Sequence, residues 1–130
     1  MLREEALRLF DSCEFHSVLG LSLEGWQRGR VSCAFRPPGL TRDPASGGVH
    51  GGALVTALDT VAGFAVISVV GMDITTIDLR ADFLRPALNE EFRVEGRTLR
   101  VGARFGWADA TVSTLDDRVV AVARGTFIWA

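Results

Sequence analysis

The sequence contains no lysine, so all 14 basic residues are arginines, and 16 acidic residues outnumber them to give a net charge of −2. Nucleic-acid-binding chains usually carry a basic excess, so this composition argues against a nucleic-acid partner. Cysteine is also scarce, since Cys13 and Cys33 are the only two, with no CxxC motif and no histidine at metal-ligand spacing. We expect free thiols in a reducing compartment rather than a disulfide, and no metal site.

The N-terminus lacks the unbroken apolar core of a signal peptide. Its charged and apolar residues alternate at helical spacing instead, which predicts an amphipathic helix within residues 1–12. We therefore expect a cytoplasmic protein. The 130 residues, 48% hydrophobic and 23% charged, fit a single globular domain over 1–130.

One long apolar segment runs from Gly51 to Met72 and carries a single charge, that of Asp59. The segment is long enough to cross a bilayer. A carboxylate near the middle of such a span costs about 2.5–3.5 kcal/mol, however. The segment also contains several glycines and has no flanking cluster of basic residues. These features favour a buried central helix over a transmembrane helix, so we expect no membrane partner.

Alternating apolar residues predict antiparallel strands on both sides of this helix. The predicted strands cover residues 21–26, 31–35, 77–84, 91–99, 99–112 and 119–129, with a bend or bulge at Gly96 and a bulge or kink near 106–108. The fold class is therefore α+β, an antiparallel sheet wrapped around one long helix. One sheet covers only one side of a helix that is apolar all round, so we expect an obligate homodimer.

The segment from Ser46 to Asp59 is the most informative part of the sequence. Its four glycines surround the predicted helix start, where free N–H groups and the helix dipole suit a polarised carbonyl or an oxyanion. The same glycines are compatible with a simple tight turn. His50 is either a structural hydrogen-bonding residue or part of the site.

Asp59 is costly to bury unless it has a partner or a function. Pairing with an arginine such as Arg80 is one interpretation, and a functional carboxylate is the one we favour. Asp59 lies about 13 Å along the helix from His50, at about 1.5 Å per residue, which is too far for both to reach one reacting carbon. A second chain in antiparallel orientation would close that gap.

The His50-Gly51-Gly52 motif, with Asp59 nine residues after the histidine, resembles the signature of hotdog-fold acyl-CoA thioesterases related to phenylacetyl-CoA and 4-hydroxybenzoyl-CoA thioesterases. Similarity to that family's pattern extends to Leu19-Gly20-Leu21, to the segment from Asp78 to Pro86, and to the segment from Val120 to Phe127. The resemblance implies a hotdog fold and the hydrolysis of an acyl-CoA without metal or organic cofactor. It also implies a homodimer that assembles further into a dimer-of-dimers tetramer.

The resemblance also implies catalytic roles for four residues. Asp59 would act as general base or nucleophile, and the N–H of Gly51 would polarise the thioester carbonyl. His50 would shape the loop, and Thr76 would hold the attacking water from the facing subunit. A strand-start hydroxyl without special function is the alternative for Thr76.

Substrate contacts are expected from Gly52 and Asp43, from Phe64 in the acyl pocket and from Arg85 near the coenzyme A phosphates. Arg100 and Arg104 are further candidates for the phosphates, and all three arginines are also compatible with a solvated strand face. Relatives often carry an asparagine before the motif histidine, and this chain has Asp43-Pro44 near that position. An aspartate cannot donate a hydrogen bond as the amide does unless it is protonated. A non-catalytic acyl-CoA-binding module is therefore the alternative function. A hydratase or dehydratase acting on acyl thioesters fits the motif poorly.

Overall fold

The structure is a computed structural model that describes residues 1–129 as one antiparallel sheet curved around one long helix. This arrangement confirms the predicted α+β hotdog fold. The helices are α1 (Arg3–Ser12), α2 (Glu14–Val18) and α3 (Gly51–Val70), with a short 3₁₀ helix at Gly39–Thr41. The strands are β1 (Leu21–Gln27), β2 (Arg30–Phe35), β3 (Thr75–Phe83), β4 (Phe92–Val101), β5 (Phe105–Thr114) and β6 (Val119–Ile128).

The six strands are arranged in the order β1-β2-β4-β5-β6-β3, and every neighbouring pair is antiparallel. The chain leaves the sheet after β2, forms α3, and returns at the far edge as β3. The two edge strands are therefore β1 and β3. As a consequence, β3 runs beside α3 with one edge of its backbone unpaired within the chain.

Helix α3 is the centre of the core. It is long and apolar enough to cross a membrane by length and composition, but 67% of its most apolar window is buried inside the chain. Every residue from Val61 to Ser68 is buried. Gly71 ends the helix in the left-handed conformation (φ 73°), where its N–H donates to the Ile67 carbonyl. The helix is thus a buried core element, as predicted.

The sheet approaches α3 closely because small residues face the helix. A Cβ atom at Gly96 of β4 would lie 2.4 Å from the Val61 carbonyl oxygen, so only glycine fits there. The predicted bulge at Gly96 was wrong, since the β4–β5 register shifts between Thr98 and Arg100 instead. Close helix–strand contact, rather than a bulge, is what requires this glycine.

At the bulge or kink predicted near 106–108, the β4–β5 register shifts between the Thr98–Ala108 and Arg100–Trp107 pairs. Strand β4 ends at Val101, and the next strand begins at Phe105 after a tight turn. Gly102 donates its N–H to the Phe105 carbonyl and closes this turn. The stretch predicted as one strand over 99–112 is therefore divided by a hairpin turn.

The N-terminal helix predicted within residues 1–12 is present as α1. Its apolar face buries Ala6 and Phe10 against the core. A second short helix, α2, follows it at once and was not predicted. Together the two helices cover the part of α3 around Phe64, whose ring lies 5.1 Å from that of Phe10.

Candidate active site

The N-terminus of α3 forms the first half of the site. His50 is the N-cap residue, and its Nδ1 accepts a 2.9 Å hydrogen bond from the Gly52 N–H. This capping bond assigns the acceptor role to Nδ1 of the neutral ring. Within residues 1–129 the Gly51 N–H donates to no acceptor. It is therefore an available hydrogen-bond donor at the positive end of the helix dipole.

Asp59 lies two turns further along α3 and forms the second half. It is half-buried, and its Oδ1 accepts a 2.8 Å hydrogen bond from the Thr76 hydroxyl at the start of β3. Arg80, the arginine considered as its partner, pairs with Asp82 instead. No basic side chain within residues 1–129 forms a salt bridge with Asp59. The alternative pairing of Asp59 with Arg80 is therefore not found, and Thr76 is its side-chain partner within residues 1–129.

A β-bulge aims Thr76 at Asp59. In the pairing of β3 with β6, Thr76 lies opposite Phe127 and Asp78 lies opposite Thr126, so Ile77 is an extra residue. Leu79 and Phe83 therefore face the helix from odd positions, whereas Thr76 faces it from an even one. Bulges next to functional sites commonly redirect a side chain in this way.

The resemblance implies that Thr76 holds the attacking water from the facing subunit, and this role remains a prediction. The Thr76 hydroxyl reaches Asp59 of its own chain, so the pair forms within one protomer. The strand-start hydroxyl of Thr76 is thus bonded to the one carboxylate of α3.

A pocket of about 340 Å³ opens beside this pair. Asp59, Thr76 and the predicted acyl-pocket residue Phe64 all line it. The wall opposite comes from the N-terminal helices and includes His16, whose ring packs 4.3 Å from Phe10. Its Nδ1 lies 2.8 Å from the Phe10 carbonyl oxygen, which can only accept, so Nδ1 is the protonated nitrogen.

The sequence around His16 indicates only a structural or exposed residue, and the structure shows it half-buried, bonded to the Phe10 carbonyl and lining this pocket. His16 lines the pocket because its ring packs against that of Phe64 in α3, with 5.9 Å between ring centroids. No sequence motif predicts this long-range contact. The spacing of residues in the sequence therefore does not predict that His16 and Asp59 line the same pocket.

A second depression, of about 390 Å³, lies beside Gly51. Arg85, which we expected near the coenzyme A phosphates, lines it together with Phe83 and Leu54. Arg85 is exposed and forms no salt bridge within residues 1–129. The structure thus places a free cation near the helix N-terminus.

The two halves of the site do not meet within one chain. Gly51 and Asp59 are separated by eight residues of continuous helix, which corresponds to about 12 Å along the axis. His50 and Gly52 belong with Gly51, whereas Thr76 and Phe64 belong with Asp59. Within one chain, the free Gly51 N–H and the Asp59 carboxylate therefore lie at two separate places.

The family model of the thioesterase superfamily matches residues 46–121, which include both halves. The chain belongs to the thioesterase superfamily. It is 35% identical to a protein of Halobacterium salinarum named as a candidate esterase, over 85% of this chain and 81% of that one. It is 29% identical to the medium/long-chain acyl-CoA thioesterase YigI of Salmonella typhimurium, over 96% and 94% of the two chains.

Solved structures agree with this membership. A thioesterase superfamily protein determined by X-ray crystallography has a TM-score of 0.92 and 27% identity, covering 98% of this chain and 97% of its own. The PaaI protein of the Escherichia coli phenylacetic acid degradation operon has a TM-score of 0.90 at 20% identity, covering 98% and 91%, and so shares the fold. Together these similarities support thioester hydrolysis as the class of activity.

In this thioesterase the departure at Asp43 has a structural explanation. The Asp43 carboxylate accepts a 2.8 Å hydrogen bond from the Ala45 N–H, and its backbone N–H donates to the Gly48 carbonyl. The side chain is exposed and lines neither the pocket beside Asp59 nor the depression beside Gly51. Asp43 therefore holds the turn that precedes α3, and the structure shows no substrate-facing role for it.

Proposed function

We propose that this thioesterase hydrolyses an acyl-CoA to a free acid and coenzyme A. The observation that carries the proposal is the Asp59–Thr76 hydrogen bond, which orients a half-buried carboxylate that has no cationic partner within residues 1–129. The name of the relative YigI, an acyl-CoA thioesterase aligned over nearly the whole chain, supports coenzyme A as the thiol.

In the proposed reaction, the substrate carbonyl accepts a hydrogen bond from the Gly51 N–H. The Asp59 carboxylate takes a proton from a water molecule that attacks this carbon, or attacks the carbon itself to form an anhydride that water then opens. The carbon–sulfur bond breaks, and the thiolate leaves as coenzyme A once it is protonated. Negative charge on the carbonyl oxygen grows during attack, so a donor at a helix N-terminus lowers the barrier.

The reaction requires a second copy of the chain. At one end of β3, the Thr76 hydroxyl is bonded to Asp59. At the other end, the Phe83 ring lies over Gly51, 3.4 Å from the position that a Cβ atom on Gly51 would occupy. We propose that the unpaired edge of β3 binds the same edge of a second copy in antiparallel orientation. Each copy's Asp59 then lies at the end of the interface where the other copy's Gly51 is found.

Exposed apolar side chains support this interface. Ile77, Phe83, Leu84 and Leu88 lie on or just after the β3 edge, and each is at least half exposed. An unprotected edge strand with apolar side chains is a ready template for pairing with another chain. The dimer would bury these side chains and complete two equivalent sites.

Each end of the substrate has a candidate position. The acyl group would occupy the pocket lined by Phe64 and Asp59, and Gly52 and His50 would lie near the thioester. Arg85 would lie near the phosphates of coenzyme A, for which its planar guanidinium is well suited. Asp43 would contribute only through the loop.

Two further proposals concern the protein's setting. Cys13 and Cys33 are both free thiols, which suits a reducing, cytoplasmic compartment. Association of two dimers into a tetramer is proposed from the family resemblance.

Release of free thiol from a panel of aryl and aliphatic acyl-CoAs tests the function. The wild type should turn over at least one of them, and Asp59→Asn should lower kcat by about 100-fold or more, since general-base or nucleophilic catalysis is lost. Light scattering and thermal unfolding should show that the variant folds and associates like the wild type. Tight acyl-CoA binding without turnover in the wild type would instead support the non-catalytic binding module.

A further inference from the structure

Arg42 lies in the irregular segment between β2 and α3, and its guanidinium group bonds to three separate stretches of backbone. Nε donates to the Pro37 carbonyl at 3.2 Å, one terminal nitrogen donates to the Gly47 carbonyl at 3.0 Å, and the other donates to the Asn89 carbonyl at 2.6 Å. Those carbonyls belong to the start of the segment, to its glycine turn, and to the connection between β3 and β4. One side chain thus ties together three stretches that have no regular structure.

The backbone around Arg42 leads directly to the helix N-terminus. Residues Arg42 and Val49 form an isolated antiparallel bridge. The Val49 N–H donates to the Ala87 carbonyl at 3.0 Å, and the His50 N–H donates to the Thr41 carbonyl at 2.7 Å. The residue that follows is Gly51, so the position of its free N–H depends on how firmly this bridge is held.

Arginine suits this position better than any other residue. Its guanidinium presents five N–H donors in a fixed planar fork and accepts no hydrogen bond, so it can serve carbonyls in three directions at once. Arg42 is half-buried and forms no salt bridge within residues 1–129. Its donors are therefore committed to backbone carbonyls rather than to a carboxylate.

We propose that Arg42 is a positioning residue that fixes residues 42–50 and thereby aims the Gly51 N–H at the thioester carbonyl. The inference rests on the proposed function of Gly51, although the loop geometry that it describes is independent of the reaction. Displacing a catalytic group by about 1 Å can cost about 100-fold in rate, so a loop that is only slightly loosened is enough to affect turnover.

The test compares Arg42→Ala and Arg42→Lys with Arg36→Ala. Arg36 lies at the start of the same segment, but its side chain is 71% exposed and pairs with Glu91, so it serves as a matched control. We expect both Arg42 variants to lower kcat by about 10- to 100-fold with a smaller change in KM. Lysine keeps the charge, but its donors all lie on one nitrogen and cannot span the three carbonyls as the guanidinium fork does, so it should not restore the rate.

Amide hydrogen exchange gives a readout that does not require turnover. In both Arg42 variants the Val49 and His50 amides should exchange at least about 10-fold faster, while those of β5 and β6 stay as slow as in the wild type. A residue that only contributes to global stability would speed exchange throughout the sheet as well. If Arg42→Ala does not fold, the lysine variant carries the same comparison.

Unchanged kcat and exchange in either folded Arg42 variant would overturn the proposal, as would full recovery of both by lysine. A wild type that hydrolyses no thioester would reject the proposed function instead. In that case the exchange measurement still decides whether Arg42 holds the loop.

Discussion

The Thr76 hydroxyl donates a 2.8 Å hydrogen bond to Asp59, joining the start of the edge strand β3 to the middle of helix α3. The bond exists because Ile77 is an extra residue in the strand and reverses the side on which Thr76 points. It leaves the second carboxylate oxygen of Asp59 free to act on water or on the substrate. A local irregularity in the sheet thus orients the Asp59 half of the candidate site.

Removing this bond should slow the reaction without disturbing the fold. We expect Thr76→Val to lower kcat by about 10-fold or more, since a hydrogen bond to a charged group is worth about 1.5–3 kcal/mol. Thr76→Ser keeps the hydroxyl and should stay within a few-fold of the wild type. Steady-state kinetics on the best acyl-CoA would measure both, and equal rates for the valine and serine variants would contradict the role.

The Gly51 N–H can be deleted almost in isolation. Gly51 is the first residue of α3, where proline is well tolerated, and the preceding His50 has ψ of 136°, which suits a residue before proline. Gly51→Pro should therefore fold but lose about 100-fold in kcat, as loss of one oxyanion donor does.

Gly51→Ala is the matched control, because it adds a side chain and keeps the N–H. Its Cβ would lie 3.4 Å from the Phe83 ring, which is 52% exposed and able to move. We expect this variant to retain most of its activity. An alanine variant as inactive as the proline variant would mean that space, not the donor, matters at this position.

Gly96 provides a test of the fold. A methyl group at this position meets the Val61 carbonyl oxygen at 2.4 Å and cannot be relieved by rotating a side chain. Gly96→Ala should lower the free energy of unfolding by about 3 kcal/mol, the upper part of the usual range for overpacking. Gly39→Ala, where nothing lies within 4 Å, should change it by less than about 0.5 kcal/mol. Chemical denaturation of both variants would measure the difference.

The buried thiol of Cys33 predicts a fall in stability at alkaline pH. Burial, reinforced by the nearby Glu24 carboxylate, raises the pKa of Cys33 from 9.0 to about 12. Between these two pH values the unfolded chain has lost the thiol proton and the folded chain still holds it. The free energy of unfolding should therefore fall by about 1.4 kcal/mol per pH unit across this range.

The composition makes this slope easy to measure, since the chain has no lysine or tyrosine to titrate in the same range. Denaturation of Cys33→Ala as a function of pH should show a shallower alkaline slope, although its stability at neutral pH is lower. In the wild type, a thiol reagent should label the exposed Cys13 quickly and Cys33 only after unfolding. Rapid labelling of both in the folded protein would contradict the burial.

The sequence predicted the structure well where a local pattern of residues determines it. The long apolar segment predicted helix α3, and the glycines around His50 predicted where that helix begins. The errors arose where tertiary contacts decide the structure. Gly96 is required by the approach of another element, and no local pattern distinguishes that from a bulge.

The candidate site shows the same division. His16 reaches the pocket through the packing of α2, and the contact between Thr76 and Asp59 depends on a bulge at Ile77. Alternation places Ile77 in phase with Leu79 and Ala81, which pack against the core, yet Ile77 is 50% exposed. A single extra residue in one strand changes which side chains face the helix, and sequence periodicity does not reveal it.

We propose that Asp59 of one copy acts together with Gly51 of another, and mixing two inactive variants tests this directly. Asp59→Asn and Gly51→Pro chains, unfolded together and refolded as mixed dimers, should regain about a quarter of the wild-type activity, since half of the dimers would contain one intact site. Each variant refolded alone should remain inactive. Mixed dimers that form, as shown by differently tagged chains, but stay inactive would contradict a site shared between two copies.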